Sequence, residues 1–171
     1  KEYARTAVKI ARESSESEIK LFIGNSFNQY NDIVSSIDKL VAMVNEWQED
    51  NVTVIDGYNI RLQAIYSENA DELEASKKQI TKMLEQLAAT GKAVRLFIYH
   101  TKIYEDTAGN FVTTSKIASV QRERAAKYME FIIKEYFRII SPENQYGISF
   151  SSMTETSGGS NICPWTSGYG R

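Results

Sequence analysis

The chain has 171 residues, a formal net charge of −2 and a pI of about 5.6, so its composition gives no case for binding nucleic acid or an anionic membrane. One cysteine and one histidine exclude a disulfide framework and most zinc or catalytic-triad chemistry. The longest apolar runs are far shorter than a bilayer span, and no secretory signal is visible. Because residue 1 is Lys rather than Met, we expect an excised fragment.

The first predicted elements are two helices that together fill 1–48. Apolar positions alternate at spacings of four and three over 1–23, and the same pattern returns from Tyr30 to Gln48. Gly24-Asn25 interrupts the pattern, and Ser26 with Gln29 forms a capping box for the second helix. Two interpretations stay open: a dimerising stalk, which predicts a homo-oligomer through 1–48, or a helical hairpin packed on the following domain.

A β-hairpin is predicted next. Two β-rich segments flank Asp56-Gly57, a pair favoured in type I′ turns because both central residues need positive φ. Apolar residues alternate with polar ones after the turn, which indicates a sheet covered mainly on one face.

The remaining elements alternate between helix and strand. The patterns predict a helix over 72–90 closed by Gly91, a central strand over 94–99, a helix over 119–140 and a strand over 145–151. A Gly/Ser-rich tail begins near residue 154. This order predicts an α+β fold, a two-layer α/β sandwich with a β-hairpin and then β-α-β-α-β, preceded by the helical segment. The expected domains are 1–48 and 52–171.

The second domain resembles an OmpA-like domain, in particular the MotB-type periplasmic version, over Val52–Asn161. That family has a strand ending in Gly-His-Thr-Asp and a long helix beginning with Leu-Ser-x-x-Arg-Ala. Here the strand ends in Tyr99-His100-Thr101-Lys102, and the helix begins at Val120 and continues to Arg124-Ala125. The His, Thr, Arg and Ala match, whereas the family's glycine and aspartate are replaced by Tyr and Lys.

The resemblance implies a two-layer fold that binds peptidoglycan without covalent chemistry. In the family, the aspartate and the arginine bind the zwitterionic end of diaminopimelate, since a carboxylate pairs an ammonium group and a guanidinium clamps a carboxylate. His100, Thr101, Lys102 and Arg124 are therefore the candidate ligand-binding residues. Lys102 would repel the ligand's ammonium group, so a loop acid is the expected substitute: Glu105 or Asp106.

The resulting prediction is a non-enzymatic OmpA-like cell-envelope domain that has lost the standard peptidoglycan site. It would act as a structural or protein-interaction module of a secretion or motility complex, in the periplasm or at the outer membrane. The alternative is a functional peptidoglycan-binding module using Arg124 and a loop carboxylate. No catalytic motif is present, and no cofactor or metal is expected. Cys163 is expected to be a partly buried small apolar residue, and Arg124 either a ligand contact or an internal salt bridge.

Overall fold

The computed structural model describes residues 2–27, 33–48, 53–103, 110–152, 154–155, 159 and 161–163, with backbone alone for Phe27, Tyr99 and His100. Helices and strands alternate along these ranges. In chain order they are α1 (Glu2–Glu13), β1 (Phe22–Phe27), α2 (Ile33–Trp47), β2 (Gly57–Tyr66), α3 (Ala70–Ala88), β3 (Ala93–Ile103), α4 (Ser119–Ile139) and β4 (Gln145–Phe150).

The four strands form one parallel sheet in the order β1-β2-β3-β4. Each strand therefore lies beside the next one in sequence, and the connection between them passes through α2, α3 or α4 in turn. Phe22 lies opposite Gly57, and Leu96 lies opposite Ile60 on one side and Ile148 on the other. Parallel neighbours need such a helical crossover because a tight turn reverses the chain direction.

The core lies between the sheet and its helices. α2 packs on α3, and α3 packs on α4. Alternate strand residues are buried against these helices, because successive side chains of a strand point to opposite faces. The buried strand residues in this core are Tyr58, Ile60, Leu62, Ala64 and Tyr66 of β2, and Val94, Leu96, Ile98 and Ile103 of β3.

The strand residues between these core residues point to the opposite face of the sheet, which we call the inner face. The sheet is strongly curved around this face. Phe22 of β1 and Tyr146 of β4 belong to strands at opposite edges of the sheet, yet their ring centroids are 4.5 Å apart. The ring of Phe22 lies directly over Gly57, where a Cβ atom would collide with it. The two edges therefore approach each other at the amino ends of the strands.

The predicted helix over 1–23 is wrong in its second half. α1 ends at Glu13, and residues 22–27 form β1. Ser26, predicted to cap the second helix, lies in β1 opposite Arg61. The second predicted helix is confirmed as α2, while Gln29 lies outside the described residues. β1 also pairs with β2, so one sheet joins the two predicted domains.

The predicted hairpin is wrong, and with it the two-layer sandwich. Asp56-Gly57 makes no chain reversal: Gly57 starts β2, and β1, β2 and β3 run parallel. The carboxylate of Asp56 instead accepts hydrogen bonds from the guanidinium of Arg12 at 2.7 Å and from the N–H of Leu21 at 2.6 Å. The dipeptide therefore docks α1 and β1 onto the start of β2.

The second half of the predicted element order is confirmed. α3, β3, α4 and β4 lie where the patterns placed them, and Gly91 follows α3 with a φ of 65°. The strand over 94–99 is central, since β3 has a neighbour on each side. In the described ranges no helix is both long enough and apolar enough to span a bilayer.

Candidate functional site

The carboxyl ends of the strands form one edge of the sheet, which we call the carboxyl edge. Because the strands are parallel, Tyr66 of β2, Ile103 of β3 and Phe150 of β4 all lie along it. Parallel α/β proteins place their ligand-binding and catalytic residues at this edge. The candidate residues are therefore described relative to it.

Three of the candidate ligand-binding residues, His100, Thr101 and Lys102, lie within β3, beyond the strand predicted over 94–99. β3 continues to Ile103, so His100, Thr101 and Lys102 are paired with Gln63, Ala64 and Ile65 of β2. The side chain of His100 lies outside the described residues, and so do Glu105 and Asp106. The two substitute acids of the sequence prediction are thus untested.

Lys102 lies on the inner face at the carboxyl edge. Its Nζ is 4.3 Å from the ring centroid of Phe111, which lies in the β3–α4 connection. Burial lowers the pKa of Lys102 below its ordinary value. The side chain is therefore partly withdrawn from water and fixed by an aromatic ring, unlike a fully solvated loop charge.

Thr101 anchors the tail of the chain to β3. Its N–H donates to Oδ1 of Asn161 at 2.7 Å, and its carbonyl accepts from the N–H of Ile162 at 2.7 Å. Asn161 is the last residue of the segment that resembles the OmpA-like family. In the structure its side-chain oxygen accepts the hydrogen bond of the Thr101 N–H near the carboxyl end of β3. Asn161 therefore has a structural role.

Arg124 makes an internal salt bridge, one of the two roles expected for it. Its Nη1 is 2.7 Å from Oε2 of Glu68, which follows β2 at the carboxyl edge. The hydroxyl of Tyr66 donates to the same carboxylate at 3.3 Å. The hydrogen bond and charge of Glu68 raise the pKa of Arg124, while burial and then the Glu68 charge raise the pKa of Tyr66. The acidic partner comes from a loop that the sequence did not single out.

A second ion pair at the carboxyl edge was not predicted. Both terminal nitrogens of Arg122 donate to the carboxylate of Glu155, and Nη2 also donates to the carbonyl of Thr114 at 2.8 Å. The Glu155 side chain is only 4% exposed. The only sequence signal for the Arg122–Glu155 pair was the presence of an acidic residue in the Gly/Ser-rich tail. Nothing in the sequence indicated that Glu155 would contact α4.

A cavity of about 200 Å³ lies between α4, the ends of β3 and β4, and residues 161–163. Its walls are mainly apolar, from Ile98, Met129, Phe150 and Ile162, and it also contacts Thr101 and Arg122 but neither Lys102 nor Arg124. Of the predicted ligand residues whose side chains the structure describes, this cavity therefore contacts Thr101 alone.

Cys163 also lines this cavity and is half-buried, as expected from its sequence context. Burial raises the pKa of the Cys163 thiol, and the side-chain amide of Asn161 lies 3.5 Å from its sulfur. A raised pKa keeps the thiol protonated and therefore a poor nucleophile.

The inner face carries positive charge and aromatic rings. The guanidinium of Arg61 lies 5.6 Å from the ring centroid of Phe97, and Arg95 donates to the hydroxyl of Ser149 at 3.2 Å. Lys102 and its ring lie on the same face nearer the carboxyl edge. In the described ranges no group of three or more acidic, His or Cys side chains is arranged to hold a metal ion.

Comparison with known proteins identifies the architecture. No protein-family model and no curated protein matches the chain. Among solved structures, a thermostable mutant of a xylanase from Cellvibrio japonicus matches with a TM-score of 0.65 and 12% identity. The match covers 99% of this chain and 51% of the xylanase chain, so this chain spans about half of its length. At that identity the likeness shows the fold alone.

The chain therefore has a β/α-barrel-like fold, in which parallel strands and helices alternate. This finding overturns the OmpA-like resemblance, whose fold the chain does not have. It also overturns the conclusion that the chain is not an enzyme, which rested on a non-catalytic fold family and on the absence of a recognised catalytic motif. The xylanase shows that the same architecture supports catalysis.

Proposed function

We propose that this chain recognises a polysaccharide on the inner face of its sheet, close to the carboxyl edge. The fold resembles that of a xylanase, and proteins of this architecture hold their substrates at the carboxyl ends of the strands. The observation that carries the proposal is the pair formed by Lys102 and Phe111 at the carboxyl end of β3. An aromatic ring beside a hydrogen-bond donor offers both an apolar surface and a polar contact to a sugar.

Affinity electrophoresis through gels containing soluble xylan or a mixed-linkage β-glucan tests this proposal. The chain should be retarded by at least one polysaccharide, and Phe111→Ala and Lys102→Ala should weaken the retardation. Lys77→Ala is a matched control, because Lys77 makes a similar contact with Phe131, 5.6 Å from the ring centroid, on the helical side. Mobility unaffected by any polysaccharide, or equally affected in all variants, would contradict the proposal.

Glycoside hydrolysis is a second candidate, favoured by the carboxylates at the carboxyl edge. Glycosidases use two carboxyl groups that flank the scissile bond. Glu68 follows β2 and Glu155 follows β4, and each is held by an arginine of α4. The test is release of reducing ends from xylan by the chain and by its Glu68→Gln and Glu155→Gln variants. Release that both variants retain would exclude these two residues as the catalytic pair.

The remaining sequence predictions stay predictions. These are the cell-envelope setting, the periplasmic location, protein partners in a secretion or motility complex, and a homo-oligomer through 1–48. Peptidoglycan binding through Arg124 is tested by a pull-down with purified peptidoglycan. Because Arg124 is engaged with Glu68, we expect Arg124→Ala to leave any retention in that assay unchanged.

A further inference from the structure

The inner face has a one-sided charge distribution. Three cations lie on it, Arg61 on β2 and Arg95 and Lys102 on β3, although the whole chain has a net charge of −2. Both arginine side chains are exposed. Among the described side chains none of the other inner-face positions is Asp or Glu; they are Phe22, Gly24, Ser26, Gly57, Asn59, Gln63, Ile65, Ala93, Phe97, Gly147 and Ser149. His100 is paired with Gln63 in the same register, and its side chain lies outside the described residues.

The cations form a row rather than a cluster. Arg95 lies opposite Asn59, and Lys102 lies opposite Ile65, so the row spans six residues of β2. At the rise of a strand this is roughly 20 Å. Arg61 lies between the two ends and contacts the ring of Phe97. Gln63 and Ile65, which lie between Arg61 and Lys102 on this face, are buried, so Arg61 and Arg95 are the cations of the row that a ligand on the open part of the face contacts.

We propose that the inner face selects a polysaccharide that carries carboxylates, such as one with uronic acid units. This inference rests on the proposed function and specifies its ligand class. Guanidinium groups bind carboxylates through two parallel hydrogen bonds, which gives Arg61 and Arg95 a geometric as well as an electrostatic preference for this group. Phe97 and Phe111 lie beside the cations and supply apolar surface for the sugar rings.

Isothermal titration calorimetry on the full chain tests the inference with two matched probes. One is xylohexaose, and the other is the same hexamer with one glucuronic acid branch. The branched hexamer should bind at least about tenfold more tightly, as expected for hydrogen bonds to a charged group. Raising the ionic strength from about 0.05 M to about 0.5 M should weaken binding of the acidic probe and leave the neutral one nearly unchanged.

Arg61→Gln and Arg95→Gln should each remove most of the preference for the acidic hexamer. Arg138→Gln is the control, because Arg138 pairs with Glu135 on α4, away from the inner face. Urea unfolding of each variant shows whether it is folded, and the salt series on the unaltered chain tests the same inference without any substitution.

The outcomes separate the inference from the proposed function. Equal affinity for both hexamers, unchanged in both variants, would overturn the inference and leave polysaccharide binding intact. Binding of neither hexamer would overturn the inference, and the absence of retardation in every polysaccharide gel would overturn the proposed function as well. Equally tight binding of a single-stranded oligonucleotide would show a general polyanion surface and contradict selection of a sugar. Variants that alter sedimentation but not sugar affinity would assign the arginines to assembly and contradict the inference.

Discussion

Two buried tyrosines differ in whether their hydroxyl groups form hydrogen bonds. Tyr136 is fully buried, and its hydroxyl donates to the carbonyl of Val94 at 2.7 Å and accepts from the N–H of Gly147 at 3.0 Å. Tyr58 is also fully buried, but in the described part of the chain its hydroxyl has no hydrogen-bond partner. A buried hydroxyl without a partner costs free energy, whereas a bonded one contributes about 1 kcal/mol per bond.

We therefore expect opposite effects from two matched substitutions. Tyr136→Phe should lower the free energy of unfolding by about 1–3 kcal/mol, because it leaves the Val94 and Gly147 backbone groups unpaired. Tyr58→Phe should leave that free energy unchanged or raise it. Urea titration followed by circular dichroism measures both. Similar losses in the two variants would show that Tyr58 has a hydrogen-bond partner in solution.

The same tyrosines predict a limit at alkaline pH. Burial raises the pKa of Tyr58 and of Tyr136 above the ordinary value of a tyrosine. The unfolded chain then loses these protons first, so their contribution to stability is complete below about pH 10 and falls as the pH rises further. Unfolding midpoints at increasing pH should decline less steeply in Tyr58→Phe. An identical decline in both proteins would assign the alkaline loss to other groups.

Gly57 is the residue on which the curvature of the sheet depends. It has no side chain, which lets the ring of Phe22 lie over β2 and contact Tyr146. Gly57→Ala should lower the free energy of unfolding by about 1–3 kcal/mol through overpacking, because the new Cβ atom meets both the Phe22 ring and the backbone carbonyl of Ala93. Phe22→Ala relieves the first of these contacts only. Gly24→Ala is the control, since its nearest new neighbour is the Asn59 carbonyl at 3.2 Å. In Gly57→Ala/Phe22→Ala the combined loss should be smaller than the sum of the single losses, and strict additivity would contradict the contact.

At the scale of elements, sequence patterns identified what depends on local periodicity. α2, α3 and α4 carry long amphipathic repeats, and β3 is an apolar run between turn signals, so each was predicted. β1 was missed because only three apolar residues precede Gly24, too few to distinguish a strand from the end of a helix. The predicted hairpin was wrong because Asp56-Gly57, a dipeptide with a strong turn preference, does not form a turn here. The Asp56 carboxylate instead accepts hydrogen bonds from Arg12 and from the N–H of Leu21, and Gly57 begins β2.

The candidate site was predictable only in part, for a related reason. Arg124 was identified from its place in a helix, but its partner Glu68 is 56 residues away in sequence. Lys102 lies beyond the strand predicted over 94–99, because the end of β3 could not be located by pattern. Arg61 and Arg95 have the alternation of a solvent-facing strand surface, but the parallel register of β2 and β3, which places them on the same face, could not be read from the sequence.

Asp56 connects three elements, so its substitution tests how they dock. Its carboxylate accepts from Arg12 of α1 and from the N–H preceding β1, and its own N–H donates to the carbonyl of Leu21 at 2.9 Å. Asp56→Asn should cost about 1–3 kcal/mol, because it removes a charged acceptor of two donors. Glu74→Gln is a suitable control, since Glu74 makes an exposed pair with Lys77. Equal losses in the two variants would contradict the docking role.

At the scale of the molecule, the sheet order predicts which part of the chain is dispensable. β1 pairs along its whole length with β2, and α2 contributes Ile33, Ile37, Leu40 and Val44 to the core. α1, in contrast, buries no residue completely. Dividing the chain at the predicted boundary after residue 48 would therefore separate β1 and α2 from the sheet and the core. Dividing it after α1 would break mainly the hydrogen bonds that Arg5 and Arg12 make.

Two truncations separate these cases. Removal of 1–13 should keep a cooperative urea transition at a lower midpoint, because the sheet and its helices stay complete. Removal of 1–48 should abolish that transition and cause aggregation, since it exposes the edge of β2 and the apolar surfaces that α2 covers. Sedimentation of the same proteins also tests the predicted association through 1–48. A soluble, cooperatively folded chain lacking 1–48 would show that the strands after residue 52 form an independent domain. That result would contradict the expectation that β1 and α2 are needed for the sheet to fold.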